Sequence, residues 1–155
     1  VSAPSAGILL YRGEADALEV LLVHPGGPIW AKRDLGAWSV PKGEYEPGEE
    51  PLAAALREFA EEIGSPPPAG EPLWLGEVRQ RSGKRVLAWA LARDIDAASA
   101  RSNTIEIEWP PRSGQTIEIP EVDRAEWFGP EEARRRLNPA QVPLLERLIE
   151  LTARP

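Results

Sequence analysis

A chain of 155 residues with a net charge of -7 and no cysteine suits one soluble globular domain with a real core. These features exclude a disulfide framework, a thiol nucleophile and a zinc–thiolate site, and they weigh against a general nucleic-acid surface, which needs a basic stripe. No apolar run reaches membrane-span length and no export signal opens the sequence, so a cytoplasmic protein with no membrane partner is expected.

Ser5 to Tyr11 (SAGILLY) and Leu18 to His24 (LEVLLVH) are short apolar runs separated by turn-forming Arg12–Asp16, which predicts two buried strands. His24, the only histidine, is expected to be structural or solvent-facing. Pro25-Gly26-Gly27-Pro28 then opens a loop carrying Trp30, Lys32 and Arg33. An aromatic and two cations make that loop a plausible ligand wall. Equally, Trp30 covers the sheet edge and the cations are solvated. Ala37 to Val40 is predicted as a short strand leading into Pro41-Lys42-Gly43.

Pro51 to Ile63 is predicted as a helix, with proline in the first turn and Gly64 in the left-handed stop position; Pro66-Pro67-Pro68 prevents continuation. At about 100° per residue, Glu58, Glu61 and Glu62 share one strip. Leu52, Leu56, Phe59 and Ile63 make another, the core face. Clustered carboxylates repel unless a positive group sits among them, and hard divalent cations prefer oxygen ligands. A solvated acidic face is the competing reading from the helix alone.

Spacing decides between them. Gly43, five residues, Glu49, seven residues, then Arg57-Glu58-Phe59-Ala60-Glu61-Glu62-Ile63-Gly64 resembles the Nudix hydrolase signature G-x5-E-x7-R-E-U-x-E-E-x-G-U, where U is bulky and apolar. Chance agreement at a given start is on the order of one in 10⁸ before discounting for the glutamate-rich composition. Phe59 is larger than the usual aliphatic, and Ser65 replaces the final apolar residue; both departures concern packing. The resemblance implies an α/β fold, an α/β/α sandwich around a mixed β-sheet, spanning a single domain over residues 1–155 with the signature at 43–65. It implies Mg²⁺ (Mn²⁺ as a substitute) held by Glu58, Glu61 and Glu62, with the backbone near Lys42 or Gly43 completing the site. Glu58 or Glu61 would act as base, and Arg57 would orient Glu49 or a ligand glutamate through a bidentate fork. W-S-V-P-K-G, followed by E-Y-E-P-G-E, is similar to the approach to this signature in the dinucleoside polyphosphate group. Lys42 would then meet a phosphate, and Tyr45 would either stack on a base or pack under the loop.

Pro72 to Gln80 and Lys84 to Arg93 are predicted as a hairpin about Arg81-Ser82-Gly83, with Trp74 and Trp89 in the core. The Arg79, Arg81, Lys84 and Arg85 cluster is read as solvated, with phosphate attraction as the alternative. Asp94 to Ser102 is a loop or irregular helix. Thr104–Ile107 and Thr116–Ile119 repeat one alternating tetrapeptide, which predicts a protruding ribbon or lid with Trp109 as a candidate base-stacking platform. Pro120 to Phe128 is similar to the last Nudix strand, where Glu121 would add a metal ligand. Pro130 to Leu137 and Pro139 to Thr152 are predicted helices, the second with Leu145, Leu148, Ile149 and Thr152 inward; Arg134-Arg135-Arg136 is read as solvated.

The expected function is a metal-dependent pyrophosphohydrolase. It would cleave a nucleoside diphosphate linked to X, an NTP or a diadenosine-polyphosphate-like substrate, to NMP and phospho-X. A nucleotide-binding sensor is the rival, as is a hydrolase of nucleotide sugars, inositol pyrophosphates or capped RNA. The expected partner is a small-molecule nucleotide, with no long nucleic acid, and the protein would be a monomer or homodimer.

Overall fold

The computed structural model describes residues 3–66 and 69–153. Pro67 and Pro68 of the expected helix-stopping run lie outside the described residues, as do the ends of the 1–155 domain span. Strand β1 (Ser5–Arg12) is the spine. Along its length it pairs in parallel with β5 (Arg85–Ala92), which pairs antiparallel with β4 (Leu73–Arg79). On its other edge β1 is forked. Ser5 to Gly7 pair antiparallel with β3 (Lys42–Glu44), whereas Tyr11 and Arg12 pair with β2 (Glu19–Pro25). Strand β8 (Val122–Phe128) completes the six-stranded mixed sheet beside β2, and β6 (Thr104–Glu108) with β7 (Thr116–Pro120) forms a separate two-stranded ribbon.

Both faces of β1 are buried, which is why its sequence is a continuous apolar run rather than an alternating one. Ala6, Ile8 and Leu10 join Phe59 and Ile63 of helix α1 (Pro51–Ile63) in one core cluster. Leu9 joins the opposite cluster with Ala133 of α2 (Pro130–Arg136) and Leu144, Leu145 and Leu148 of α3 (Val142–Thr152). The result is the expected α/β/α sandwich. Among the described residues no helix is long and apolar enough to cross a membrane.

Three expectations change. Ala37–Val40 is not a named strand: Ser39 bridges Val23 and Trp38 bridges Leu137, and the strand falls instead at Lys42–Glu44, where it can pair with β1. Trp74 is 48% exposed rather than in the core. It lies on the edge strand β4, where an irregularity between Trp74 and Gly76 alters the alternation, and its ring meets that of Trp89 at a 56° tilt with centroids 4.9 Å apart. The buried residues of α1 are Ala54, Ala55, Glu58, Phe59, Glu62 and Ile63, with Leu52 and Leu56 only partly covered.

His24 is fully buried and structural. Its ring bridges the Asp123 carboxylate at 2.9 Å and the Arg33 carbonyl at 2.6 Å, and meets Trp38 edge-on. Trp38 in turn donates its Nε1–H to Asp34 at 2.7 Å. These contacts tie the 26–37 loop to the sheet.

Candidate active site

Helix α1 opens on Pro51, whose missing N–H costs nothing there, and closes on Gly64 at φ 84°. A Cβ at Gly64 would sit 2.1 Å from the Arg101 carbonyl. That closeness serves a purpose: Arg101 and Asn103 donate their backbone N–H groups to the terminal carbonyls of Ile63 and Glu61. Asn103 then accepts from the Glu121 N–H at 3.0 Å, and the Ser102 hydroxyl bonds both backbone groups of Val122. The segment 101–103 thus staples the end of the acidic helix to the strand that carries Glu121.

The carboxylate strip of α1 faces a cavity of about 500 Å³, whose wall includes Glu58, Glu61, Glu62, Glu121, Lys42 and Gly43. Glu58 and Glu62 are 7% and 5% exposed, an unusual state for carboxylates. Burial, reinforced by Glu121 and only partly offset by Lys42, pushes Glu62 up to about 8. Burial and Glu61 also raise Glu58, against the pull of Arg57. Burial lowers the Lys42 pKa, against the upward pull of Glu62.

Arg57 forks onto Glu49, with Nη2 at 3.0 Å from Oε2 and Nε at 3.1 Å, and its Nη1 reaches Glu58 at 2.9 Å and Glu61 at 3.3 Å. The two glutamates three residues apart are therefore held by one guanidinium, anchored from the loop by Glu49. Gly43 is required here for space: a Cβ would lie 1.9 Å from Glu58 Oε2.

Among the described residues no three acidic or histidine side chains already converge as a finished metal cage. Mg²⁺ does not need one, since it keeps several waters and takes one or two carboxylates plus substrate phosphates. Two buried carboxylates with raised pKa values, lying against a cavity and against Glu121, form an underneutralised anionic site of the kind a hard divalent cation relieves.

Of the other candidates, Tyr45 does not line the cavity. Its N–H bonds the Pro4 carbonyl, and it packs against the α1-side core. Arg33 lines a neighbouring cavity with Trp30 and Arg81, its guanidinium 5.4 Å from the Trp30 ring. Trp109 follows β6 on the separate ribbon and lines neither cavity. Of the basic hairpin, Arg81 lines the neighbouring cavity, and Arg85 pairs across the hairpin with Glu77 on β4.

Sequence reasoning missed the wall residues Gln80 and Gln141, and gave Lys84 a phosphate role only as the alternative. Lys84 pairs with Glu44 there. Fully buried Gln141 accepts the Val40 N–H at 2.9 Å and donates to Ser39 and Gln80 at 3.1 and 3.0 Å. Gln80 lies 61 positions from Gln141, so no local pattern could have joined them.

Comparison with known proteins follows the same lines. The NUDIX domain family matches residues 1–148. An RNA pyrophosphohydrolase of Roseobacter denitrificans is 28% identical over 135 residues, covering 70% of this chain and 76% of that one. Another, of Rhodospirillum rubrum, is 38% identical over 64 residues, 39% of this chain and 37% of its own length. In structure, a C. elegans Ap4A hydrolase in a binary complex superposes with a TM-score of 0.66 at 22% identity, covering 96% of this chain and 98% of that one. The NUDIX domain of Shewanella oneidensis NrtR, complexed with ADP ribose, gives 0.62 at 19% identity over 97% and 88%.

Proposed function

This chain belongs to the NUDIX domain family and is a Nudix hydrolase; from that premise we propose that it is a metal-dependent pyrophosphohydrolase of NTPs or dinucleoside polyphosphates. The observation that carries this reading is the pair of buried glutamates, Glu58 and Glu62, held against a cavity that also carries lysines. Glu58, Glu61, Glu62 and Glu121, with the Gly43 backbone, would hold Mg²⁺ or Mn²⁺. Bound there, the ion would neutralise phosphate oxygens and make the attacking water more acidic.

The chain's own groups do the rest. Water adds to one phosphorus, the bridging P–O bond breaks, and the products are NMP and phospho-X. Glu58 or Glu61 accepts the proton that the attacking water sheds. Arg57 keeps both carboxylates in place. Lys42 supplies a point charge for the phosphate chain. Phosphoryl transfer depends chiefly on positioning and charge, so no covalent nucleophile is needed.

The curated relatives named RNA pyrophosphohydrolase favour a second reading, in which the substrate is the 5′ end of an RNA. The net charge of -7 favours the small nucleotide.

Glu62→Gln is the direct test. It should cut kcat by about 10²-fold or more, the size of loss that one misplaced group causes, while the thermal melt stays in place or moves up. Wild-type turnover of this variant in Mg²⁺ would overturn the assignment.

A further inference from the structure

Ser5 begins β1, is 1% exposed and lines the cavity, and its hydroxyl has no hydrogen-bond partner among the described residues. Other buried polar atoms share that lack of a partner, but none of them belongs to this wall. Glu132 Oε2 and Arg136 Nε face each other at 3.2 Å, and Asn103 does not line the cavity. A buried hydroxyl without a partner lowers stability, and a ligand oxygen in the cavity would supply that partner.

The surroundings indicate which ligand. Register sets Ser5 opposite Glu44 on β3 and beside Val86 on β5, so Lys42 and Lys84 flank it along the same wall. Gln80 adds a neutral donor: the Val40 N–H fixes the Gln141 oxygen, the Gln141 Nε2 then donates to the Gln80 oxygen, and the Gln80 amide nitrogen is left with its protons unspent. The Lys42 ammonium, the Lys84 ammonium paired with Glu44, and two neutral donors suit an anion rich in oxygen acceptors better than an aromatic ring.

We propose that Ser5 is a phosphate-binding residue whose hydroxyl donates to a non-bridging oxygen of the substrate's phosphate chain. The assignment rests on the pyrophosphohydrolase reading above.

The test pairs thermal melts with calorimetric titration of imidodiphosphate, which has a non-hydrolysable bridge, in Mg²⁺, for wild type and Ser5→Ala. Alanine removes the unpaired hydroxyl, so the variant should melt a few degrees higher. It should also bind imidodiphosphate about tenfold more weakly, as expected for one lost hydrogen bond to a charged group. A merely structural hydroxyl would not move the two readouts in opposite directions. Equal binding by the two proteins overturns the Ser5 assignment alone, and so does weaker binding with a lowered melt. Failure of wild type itself to bind imidodiphosphate overturns the pyrophosphohydrolase reading and the Ser5 assignment together.

Discussion

Glu62 carries a pH signature of its own. Its folded pKa of about 8 lies above the ordinary carboxylate value, so between those two values the folded chain binds a proton that the unfolded chain has released. Stability is therefore fully present below the unfolded pKa and is lost as pH rises through about 8. Thermal melts in EDTA should fall between pH 5 and pH 8, and Glu62→Gln should flatten that slope. A melt that rises with pH across the window would contradict the burial effect. Gly43 makes a second residue-scale prediction. Alanine there would force Glu58 aside, because its Cβ would lie 1.9 Å from the carboxylate. Gly43→Ala should lower kcat/KM by about 10²-fold, with far-UV circular dichroism unchanged.

At the scale of elements, α1 depends on how it ends. Gly64 takes a left-handed conformation directly beneath the Arg101 carbonyl, so Gly64→Ala meets both backbone strain and a clash. A loss of about 1–3 kcal/mol in chemical denaturation is expected. Because the 101–103 segment also holds the Glu121 N–H through Asn103, the same variant should also weaken Mg²⁺ affinity. The helix was legible in the sequence because its information is local: Pro51, the period of its apolar residues, and Gly64 all lie within one short window. The staple was not legible, since Arg101 and Asn103 act through backbone N–H groups that any residue but proline supplies. The ribbon was legible from its repeated tetrapeptide, but where it sets Trp109 was not, because β6 and β7 pair only with each other and carry the ring outside the cavity wall. Trp74 failed for a related reason. An aromatic in a strand reads as core, but only the register tells which face an edge-strand irregularity gives it.

For the molecule as a whole, the acidic balance makes its own prediction. A net charge of -7 should repel a lengthening phosphate backbone, so kcat/KM on 5′-triphosphorylated oligonucleotides should fall as the chain is extended and fall most at low salt. Rates that climb with RNA length would favour the second reading instead. Fold class and acidic helix were readable because composition and spacing constrain them. Lys42 was named from its place before the signature, but Ser5 and Gln80 were not, since the wall gathers them from separate strands and their flanks. The forked pairing of β1 gives that wall its mechanical character. One end of the strand forms the floor beneath the cavity, while the other is bonded into the sheet's far half. Prying the cavity apart would mean tearing the backbone ladder at the centre of the protein. The floor should therefore stay still throughout a catalytic cycle.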